Sequence, residues 1–396
     1  MGVIRVNFYE QAADEKLKYA VIVAKFNGKW VWCKHRERNT YEIPGGHREP
    51  GERIWETARR ELYEETGATV FELRPVCVYS VVRASEQGET ETFGMLYYAE
   101  IAEREEELHS EIERIALFDE LPGALTYPDI QPFLFRKVLE KFSDGLPDAE
   151  RRLRNLLALE FNADPEDFLK KENILTLSAL HEGRRQYCPE PYFFHMVTTG
   201  GNAVVTADKL LHPFLKEWIG GRPGHWLFEI PNLHPLEREL NKFGYSLTAT
   251  HHMFLPAAPA APQREYPVKW FYDEEIRPFY GDKRFPNALC PEYLPHRPDR
   301  IAVCAYDGEK IMGMAGCSED APHWQQIGID VMPEYRSQGV GTYLVTLLKN
   351  EILARGELPF YGTSVSNYHS WNIALNCGFR PAWVEIGAER EKNGGE

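Results

Sequence analysis

Residues 46–68 read GHREPGERIWETARRELYEETGA, and this stretch decides how the first third of the chain folds. The run from Ile54 to Thr66 lacks glycine and proline and is rich in Glu, Arg, Leu and Ala. It predicts a helix that stops at Gly67 in a left-handed conformation. Three glutamates of this helix, spaced i, i+3 and i+4, share one face: Glu61, Glu64 and Glu65.

Three like charges on one face destabilise an isolated helix, and a divalent cation is the usual remedy. Mg²⁺ prefers carboxylate oxygens and keeps waters that can be ionised or shared with phosphate oxygens. The alternative is a solvated acidic face whose glutamates pair with arginines one turn away. A long gapped pattern favours the metal site because each of its fixed positions is filled: Gly46, Glu52, Arg60-Glu61, Leu62, Glu64-Glu65 and Gly67.

The stretch resembles the signature of Nudix hydrolases, which cleave diphosphates linked to another moiety, usually a nucleoside, using Mg²⁺ or Mn²⁺. The resemblance implies that the three glutamates hold the metal and that the Gly45 carbonyl is a further ligand. It also implies that Arg60 and Glu52 form a supporting pair that orients the helix. Which carboxylate deprotonates the attacking water varies within the family.

Residues 1–142 are therefore predicted to form a Nudix α/β/α sandwich with a mixed sheet. Strands are expected at 19–26 and 29–33, joined by a tight turn at Asn27-Gly28, and later at 70–73, 76–83 and 91–101. In the family an additional metal or base glutamate often comes from the region matching the acidic stretch 103–113. Glu111 is the candidate here, and a solubilising charge run is the alternative.

The substrate expected from this part is a nucleoside diphosphate derivative. The N-terminal opening, together with His35 and Arg36, resembles bacterial Nudix enzymes placed near oxidised-nucleotide diphosphatases, so an oxidised dNTP is one candidate. The formal net charge of −15 argues against a nucleic acid polymer as partner. It leaves a single nucleotide open, because a bound metal reverses the local sign.

Length and composition limit the remaining possibilities. A chain of 396 residues is long enough for two or three domains. Its seven cysteines are scattered without a C-x-x-C pair, which favours a reducing compartment. No apolar run approaches the ~18 residues of a membrane span, and the first residues show no signal-peptide core. We expect a cytoplasmic protein with no membrane partner.

The middle part, residues 148–256, is predicted to be an α/β region that follows a turn-rich boundary at 142–148. Its histidines fit no known metal-ligand spacing, so structural or surface roles are favoured. A strand is expected at 225–229. The helix at 235–243, followed by a strand, is similar to the end of an acetyltransferase half, so a degenerate copy of the next domain is one interpretation. The Pro/Ala segment at 256–262 is predicted to be a linker.

Residues 326–342 read QIGIDVMPEYRSQGVGT and form the second informative stretch. A strand ends near Pro333, a basic glycine-rich turn follows, and a helix begins near Gly341. Such a turn exposes consecutive backbone N–H groups at a helix N-terminus and binds anions such as a pyrophosphate. Downstream come a strand, the segment Asn367-Tyr-His-Ser370, a helix and Gly378-Phe379.

This arrangement resembles GNAT acetyltransferases over about residues 265–388, within a predicted domain of residues 263–396 that carries a mixed α+β sheet. The resemblance implies acetyl-CoA as cofactor and an amine as acceptor. It implies cofactor contacts from the strand residues Ile329, Asp330 and Val331, from the turn residues Arg336, Ser337, Gln338, Gly339, Val340, Gly341 and Thr342, and from Asn367 and Asn372.

One position departs from the GNAT pattern. Many members carry a tyrosine four residues before the Gly-Phe glycine as general acid for the thiolate, and this chain has Ala374. Either another group or water protonates the thiolate, or this copy is slow or inactive. No general base is identifiable; Glu319, Asp320 and His323 are the nearest guesses, and ordinary loop roles are the alternative.

The sequence thus predicts an α/β multidomain enzyme that joins a metal-dependent Nudix hydrolase to an acetyl-CoA-dependent N-acetyltransferase. The alternative is a Nudix hydrolase regulated by a GNAT-like module that binds acetyl-CoA without transferring its acetyl group. Ala374 favours this alternative slightly, and the intact turn at 336–341 is neutral between the two.

Overall fold

The structure is a computed structural model that describes residues 4–85, 88–108, 111–142, 147–262 and 264–390. It divides into two compact units: unit 1 comprises residues 1–146, 258–261 and 350–357, and unit 2 comprises the rest. Most of the boundary predicted at 142–148, and residues 109–110 of the acidic stretch, lie outside the described residues. Within the described ranges, no helix combines the length and apolar character that crossing a membrane requires.

Unit 1 is built around one mixed sheet with two helices. Its strands are β1 (Ile4–Tyr9), β2 (Leu17–Phe26), β3 (Lys29–His35), β4 (Tyr41–Glu42), β5 (Gly45–His47), β6 (Ala68–Ser85), β7 (Gly88–Arg104) and β8 (Ile112–Phe118), and its helices are α1 (Ile54–Thr66) and α2 (Gln131–Phe142). The strand order is β1-β6-β7-β2-β3-β4, with β5 on β2 and β8 on β3. Strands β2 and β7 run parallel, whereas β6 and β7 are antiparallel.

Helix α1 has the bounds predicted from the sequence. It ends at Gly67, whose φ of 72° places it in the left-handed region. The apolar residues Ile54, Ala58 and Leu62 recur every four positions and are buried in the core of unit 1. Since these residues cover the inward face of the helix, Glu61, Glu64 and Glu65 are left on another face, toward the site.

The predicted strands at 70–73 and 76–83 are one continuous strand, β6. Pro75 lies in the gap between the two predicted strands, and proline cannot donate a ladder hydrogen bond. The structure instead shows a register shift between Pro75 and Cys77 in the pairing of β6 with β7. Such an irregularity accommodates the proline and lets the strand continue.

Unit 2 carries one large sheet and, among its described residues, four α-helices and most of a fifth (Val340–Ala354), whose residues 350–354 belong to unit 1. Its strands are β9 (Ile174–Leu177), β10 (Phe194–Thr198), β11 (Ala203–Ala207), β12 (Tyr245–Leu247), β13 (His251–Pro256), β14 (Val268–Tyr272), β15 (Asp299–Asp307), β16 (Lys310–Ala321), β17 (Trp324–Val331), β18 (Leu358–Ser364) and β19 (Phe379–Arg390), and its helices are α3 (Pro147–Phe161), α4 (His212–Trp218), α5 (Ile230–Asn241), α6 (Val340–Ala354) and α7 (Tyr368–Asn376).

The middle part of the chain and the C-terminal part share this sheet. Its strand order is β14-β15-β16-β17-β18-β13-β19-β10-β11-β9, with β12 on β19. Strand β13 therefore lies between β18 and β19, and it pairs antiparallel with both. A strand from the middle part thus completes the sheet that holds the candidate acetyl-CoA segments.

The strand predicted at 225–229 is wrong. Residues Gly224–Phe228 form a short 3-10 helix in which only Gly224 and Leu227 are buried. That spacing of three follows a helical turn and not the alternation of a strand. Gly224 also packs on the backbone of Asn202 and Ala203, where a Cβ would overlap.

Candidate active sites

Arg60 is the centre of the acidic site in unit 1. Its Nε donates to Glu52 Oε1 at 2.7 Å, and its Nη2 donates to the His47 carbonyl at 2.9 Å. Its Nη1 donates to Glu61 Oε1 at 2.8 Å and to Glu64 Oε2 at 3.1 Å. One guanidinium therefore connects the predicted supporting glutamate with two of the predicted metal ligands.

Glu52 is held by three donors. Besides Arg60, the Thr57 hydroxyl donates to Glu52 Oε2 at 2.8 Å and the Glu49 N–H donates to the same oxygen at 3.0 Å. The hydrogen bond from Arg60 is the main cause that lowers the pKa of Glu52 to about 2. Glu52 is therefore an ionised anchor that fixes the orientation of Arg60.

Glu65 is the most buried carboxylate of the site, at 8% exposure. Its Oε2 accepts a hydrogen bond from the Gly45 N–H at 2.9 Å. Burial raises the pKa of Glu65 to about 8, the Gly45 bond opposes this rise, and the charges of Glu61, Glu42 and Glu111 add to it. A carboxylate in these surroundings is stabilised in its charged form by a cation.

Gly46 makes room for Glu61. A Cβ on Gly46 would lie 2.6 Å from Glu61 Oε2 and closer still to the rest of that carboxylate. Burial also raises the pKa of Glu61, although Arg60 opposes that rise. The glycine at this fixed position of the motif is therefore needed so that the carboxylate can sit against strand β5.

A cavity of about 640 Å³ opens beside α1. It is lined by all of the predicted metal-site residues: Gly45, Glu61, Glu64, Glu65 and Glu111. Arg60 also lines it, whereas Glu52 lies behind Arg60 and does not. The structure thus brings the helix glutamates together with Glu111 from the distant acidic stretch.

The sequence did not identify the residues that line the rest of this cavity. Tyr79, Val81 and Arg83 are alternate residues of β6, so they lie on one face of the strand. This period of two is visible in the sequence of the strand. Tyr127 and Gln131, at the start of α2, complete the wall. Their position could not be read from local pattern, because it depends on how the helix packs on the sheet.

The carboxylates have the chemistry of a hard divalent cation site. Over the described residues, no three His, Cys, Asp or Glu side chains are already arranged as a metal-binding group. The reason is that Arg60 occupies oxygens of both Glu61 and Glu64. Oxygen donors, one of them buried at Glu65, and the close approach at Gly46 nevertheless fit Mg²⁺ or Mn²⁺.

The second site lies where β17 and β18 separate. These parallel strands pair from Trp324↔Leu358 to Ile327↔Tyr361, and the pairing ends there. A cavity of about 710 Å³, here called the splay cavity, opens beyond that point. It is lined by residues that include Ile327, Gly328, Ile329, Tyr361, Asn367 and Ser370. The gap exposes strand edges that an extended ligand arm can pair with.

The three strand residues predicted to contact the cofactor do not all lie at the splay cavity. Ile329 lines the splay cavity, whereas Asp330 and Val331 do not. The Asp330 carboxylate accepts from the N–H groups of Asn287 and Ala288, each at 2.8 Å. Asp330 therefore holds the 287–288 loop against β17.

The glycine-rich turn has the backbone that the sequence predicted. Ser337 and Gly339 have φ values of 60° and 88°, and α6 begins at Val340. This places the N–H groups of the turn at the N-terminus of a 15-residue helix. A Cβ on Gly341 would lie 3.1 Å from Ile373, so the glycine allows close packing there.

The two asparagines predicted to contact the cofactor differ in whether they line the splay cavity. Asn367 caps α7, where its side chain accepts from the Ser370 N–H at 3.2 Å, and it lines the splay cavity. Asn372 is exposed on α7 and does not line that cavity.

The Ala374 side chain has no ionisable proton, and it is fully buried outside the splay-cavity lining. A pair of hydroxyls does line that cavity: Tyr361 Oη and Ser370 Oγ are 2.6 Å apart. None of the guessed bases lines the cavity. Glu319 pairs with Arg300 at 2.6 Å, and buried Asp320 accepts from the Tyr187 hydroxyl at 2.6 Å.

Comparison with known proteins finds a separate family match for each part of the chain that holds a candidate site. The NUDIX domain family model matches residues 16–126, and the Acetyltransferase (GNAT) family model matches residues 264–379. A Bacillus subtilis protein named "Putative 8-oxo-dGTP diphosphatase YtkD" is 34% identical over 124 residues, which cover 31% of this chain and 75% of that protein.

Solved structures with similar parts include the Bacillus subtilis pyrophosphohydrolase BsRppH, at 29% identity and TM-score 0.31, covering 35% of this chain and 92% of that one. An acetyltransferase from the GNAT family from Colwellia psychrerythraea matches at 14% identity and TM-score 0.28, covering 37% of this chain and 57% of that one. From the family models and the curated relative, the chain belongs to the Nudix hydrolase family through its N-terminal part and carries a GNAT acetyltransferase domain in its C-terminal part.

Proposed function

We propose that unit 1 hydrolyses a phosphoanhydride bond of a nucleoside diphosphate derivative with the help of Mg²⁺ or Mn²⁺. The observation that carries this proposal is one cavity lined by six glutamates, with Glu65 buried and Glu61 pressed against Gly46. Glu61, Glu64, Glu65 and the Gly45 carbonyl would hold the metal, with Glu111 as a further ligand. Bound metal would supply positive charge for the phosphate oxygens.

The side chains around the proposed metal site of unit 1 have distinct roles. Arg60 orients α1 through Glu52 and keeps the glutamates from repelling one another. Its guanidinium must give up part of its contact with Glu61 and Glu64 when those oxygens turn to a cation. One of these carboxylates would also accept the proton of the attacking water.

An oxidised purine dNTP is the substrate we favour. The curated relative is named for 8-oxo-dGTP, and the far wall of the cavity offers groups suited to a base. Tyr79 and Tyr127 present aromatic rings, while Gln131 and Arg83 present amide and guanidinium groups. All seven cysteines are unpaired thiols, which supports a reducing, cytoplasmic location.

We propose further that unit 2 transfers the acetyl group of acetyl-CoA to an amine. The turn at 336–342 would bind the pyrophosphate, and the edge of β17 at Ile329 would pair with the pantetheine. The amine nitrogen attacks the thioester carbonyl carbon, the C–S bond breaks with its electron pair on sulfur, and the nitrogen loses a proton to solvent. The Tyr361–Ser370 hydroxyl pair donates a proton to the sulfur. It takes the role of the tyrosine that many GNAT members carry at the position of Ala374.

The second candidate is that unit 2 only binds acetyl-CoA and regulates the hydrolase. The buried Ala374 favours it, because no acid stands at the usual position. The two functions make different demands: transfer requires an acceptor and releases a thiol, whereas regulation requires only that acetyl-CoA alters hydrolysis.

One screen tests both proposals. Purified chain is given a panel of nucleotides that includes 8-oxo-dGTP, dGTP and ADP-ribose, with Mg²⁺ and with EDTA, and released phosphate or pyrophosphate is measured. We expect Mg²⁺-dependent hydrolysis and a severe loss in Glu65→Gln, because the metal loses charge balance while the fold is kept. Wild-type turnover in Glu65→Gln would contradict the metal role of Glu65.

The same screen is repeated with acetyl-CoA, with and without an amine panel, while free thiol is measured. Thiol release that depends on an amine supports transfer. A change in nucleotide hydrolysis without thiol release supports the regulatory candidate.

A further inference from the structure

Unit 2 contains a second cavity that touches the splay cavity. It has a volume of about 560 Å³ and is lined by residues 187–193, 245–251 and 385–390. We call it the middle-region cavity, since much of its wall comes from the middle part of the chain, for which no chemistry was predicted. Three residues line both cavities: Tyr187, His251 and Glu385. The two spaces are therefore neighbours that share one wall.

The order of the strands explains why the splay cavity and the middle-region cavity adjoin. His251 begins β13, the middle-region strand that lies between β18 and β19. It pairs with Ser364 on one side, at the edge of the splay cavity, and with Glu385 on the other. The inserted strand thus places its first residue between the two cavities.

Aromatic rings and carboxylates dominate the lining of the middle-region cavity. The rings of Phe193 and Tyr245 are stacked with centroids 4.0 Å apart, and Tyr192 also lines the cavity. The carboxylates are those of Glu190, Glu385 and Glu389. One arginine lines it, Arg390, and its Nε donates to the Tyr245 hydroxyl at 3.1 Å. Such a lining attracts a cation and stacks on a flat body.

A buried polar atom in this wall has no partner. His195 is 7% exposed, and its Nδ1 makes no hydrogen bond to any described residue. Its ring lies between Phe161 and Tyr192, with centroid distances of 4.9 and 4.5 Å. A buried polar atom left unpaired is costly in a folded protein.

We propose that the middle-region cavity binds the acceptor of acetyl transfer, and that this acceptor is a primary amine carried on an aromatic body. The ring stacks against the aromatic wall, the carboxylates attract the ammonium group, and the amine reaches the splay cavity between Tyr187 and His251. The inference rests on the acetyltransferase activity proposed above. An anionic acceptor fits poorly because Glu190 and Glu389 line the cavity as exposed carboxylates, whereas Glu385 is already paired with the buried Arg185 at 2.7 Å.

Gly387 allows a direct test. It lies in β19 and lines the cavity, and a Cβ there would meet His195 Cδ2 at 3.6 Å and Thr248 Oγ1 at 3.7 Å, which are ordinary contacts. Gly387→Leu therefore fills the cavity without breaking the strand. The control is Gly201→Leu, at an exposed turn position outside the cavity where a Cβ meets nothing within 4 Å.

Tyramine is the probe, with spermidine as an amine that lacks a ring. Calorimetry on the full chain should show that tyramine binds more tightly than spermidine, and that Gly387→Leu weakens tyramine binding by at least about tenfold. Binding of CoA should change less than about twofold, and Gly201→Leu should match the wild type. Equal tyramine binding in Gly387→Leu and wild type, or no tyramine binding at all, would overturn the proposal.

Measuring thiol release from acetyl-CoA distinguishes a failure of the acceptor site from a failure of the proposed acetyl transfer. Tyramine that binds, is lost in Gly387→Leu and yet releases no thiol from acetyl-CoA would support the cavity as a binding site and refute the acetyl transfer. Thiol release with spermidine alone, unchanged in Gly387→Leu, would support the transferase and refute the acceptor site.

Discussion

The Glu61 carboxylate lies so close to Gly46 that no other residue fits at position 46 while Glu61 stays in place. A Cβ on Gly46 would approach Glu61 Oε2 to 2.6 Å, and the obstructing atoms are the far end of a flexible side chain. The conflict is therefore relieved by moving the carboxylate and not by unfolding the strand.

Gly46→Ala should separate catalysis from stability. We expect the melting temperature to shift little, because only a side-chain end must move, while nucleotide hydrolysis falls by about 100-fold or more since a metal ligand is displaced. Steady-state kinetics with varied Mg²⁺ would show a raised Mg²⁺ requirement. Gly123→Ala is the control, at a glycine whose Cβ would meet nothing within 4 Å. Normal hydrolysis in Gly46→Ala would mean that the Glu61 position seen here is not the active one.

Glu65→Gln should change how the stability of α1 depends on pH. Burial raises the folded-state pKa of Glu65 to about 8, against a reference value of 4.5. Between these values the unfolded chain has lost a proton that the folded chain keeps, so metal-free stability falls as pH rises. Glutamine has no such proton. The advantage of the variant over wild type should grow by a few kcal/mol from pH 5 to pH 8.

Hydrogen exchange of peptides covering residues 54–66, in EDTA, measures this effect in the full chain. Comparing the two proteins at each pH cancels the intrinsic exchange rate. The charge-matched control is Glu140→Gln, at an exposed site on α2. If the difference between Glu65→Gln and wild type stays constant with pH, Glu65 is ionised in the folded state throughout.

Tyr361→Phe should slow acetyl transfer without weakening cofactor binding. Tyr361 is 2% exposed, burial raises its pKa to about 12, and its hydroxyl is bonded to Ser370. If this pair protonates the leaving sulfur, removal of the phenol should lower kcat about 10- to 100-fold and leave the KM for acetyl-CoA within about twofold. Tyr343→Phe removes a hydroxyl that donates to the Tyr266 carbonyl at 3.1 Å outside the splay cavity, and should leave kcat unchanged.

Local pattern predicted the parts of these sites that lie on one element. The face of α1 followed from helical spacing, and its end followed from Gly67, because a helix places residues i, i+3 and i+4 together whatever surrounds it. The glycine-rich turn before α6 was also predicted from local residues, although its left-handed positions are Ser337 and Gly339. The strand predicted at 225–229 failed because tertiary packing of Gly224 on β11 decided its conformation.

Long-range packing decided what the sequence missed. Tyr187, His251 and Glu385 meet only because β13 is inserted between β18 and β19, and no spacing in the chain encodes that order. Tyr79 and Arg83 had a signal in the alternation of β6, but the face that they occupy depends on its pairing with β7. The contribution of the middle part to the sheet and to the two cavities therefore could not be predicted from the sequence.

Gly339→Ala should weaken acetyl-CoA binding through the backbone alone. Gly339 has a φ of 88°, and a Cβ there would meet nothing within 4 Å, so alanine adds conformational strain and no clash. That strain costs about 1–2 kcal/mol, and a turn that relaxes to avoid it no longer aims its N–H groups at the pyrophosphate. We expect the Kd for CoA to rise about 5- to 30-fold in calorimetry. The matched control is Gly221→Ala, in the loop after α4, where φ is 69° and a Cβ is equally free. It carries the same kind of strain beside α4, which packs on the end of the sheet that carries β9 and β11, so its Kd for CoA should stay at the wild-type value. Equal weakening in both variants would show that loss of stability, and not the shape of the anion-binding turn, sets the affinity.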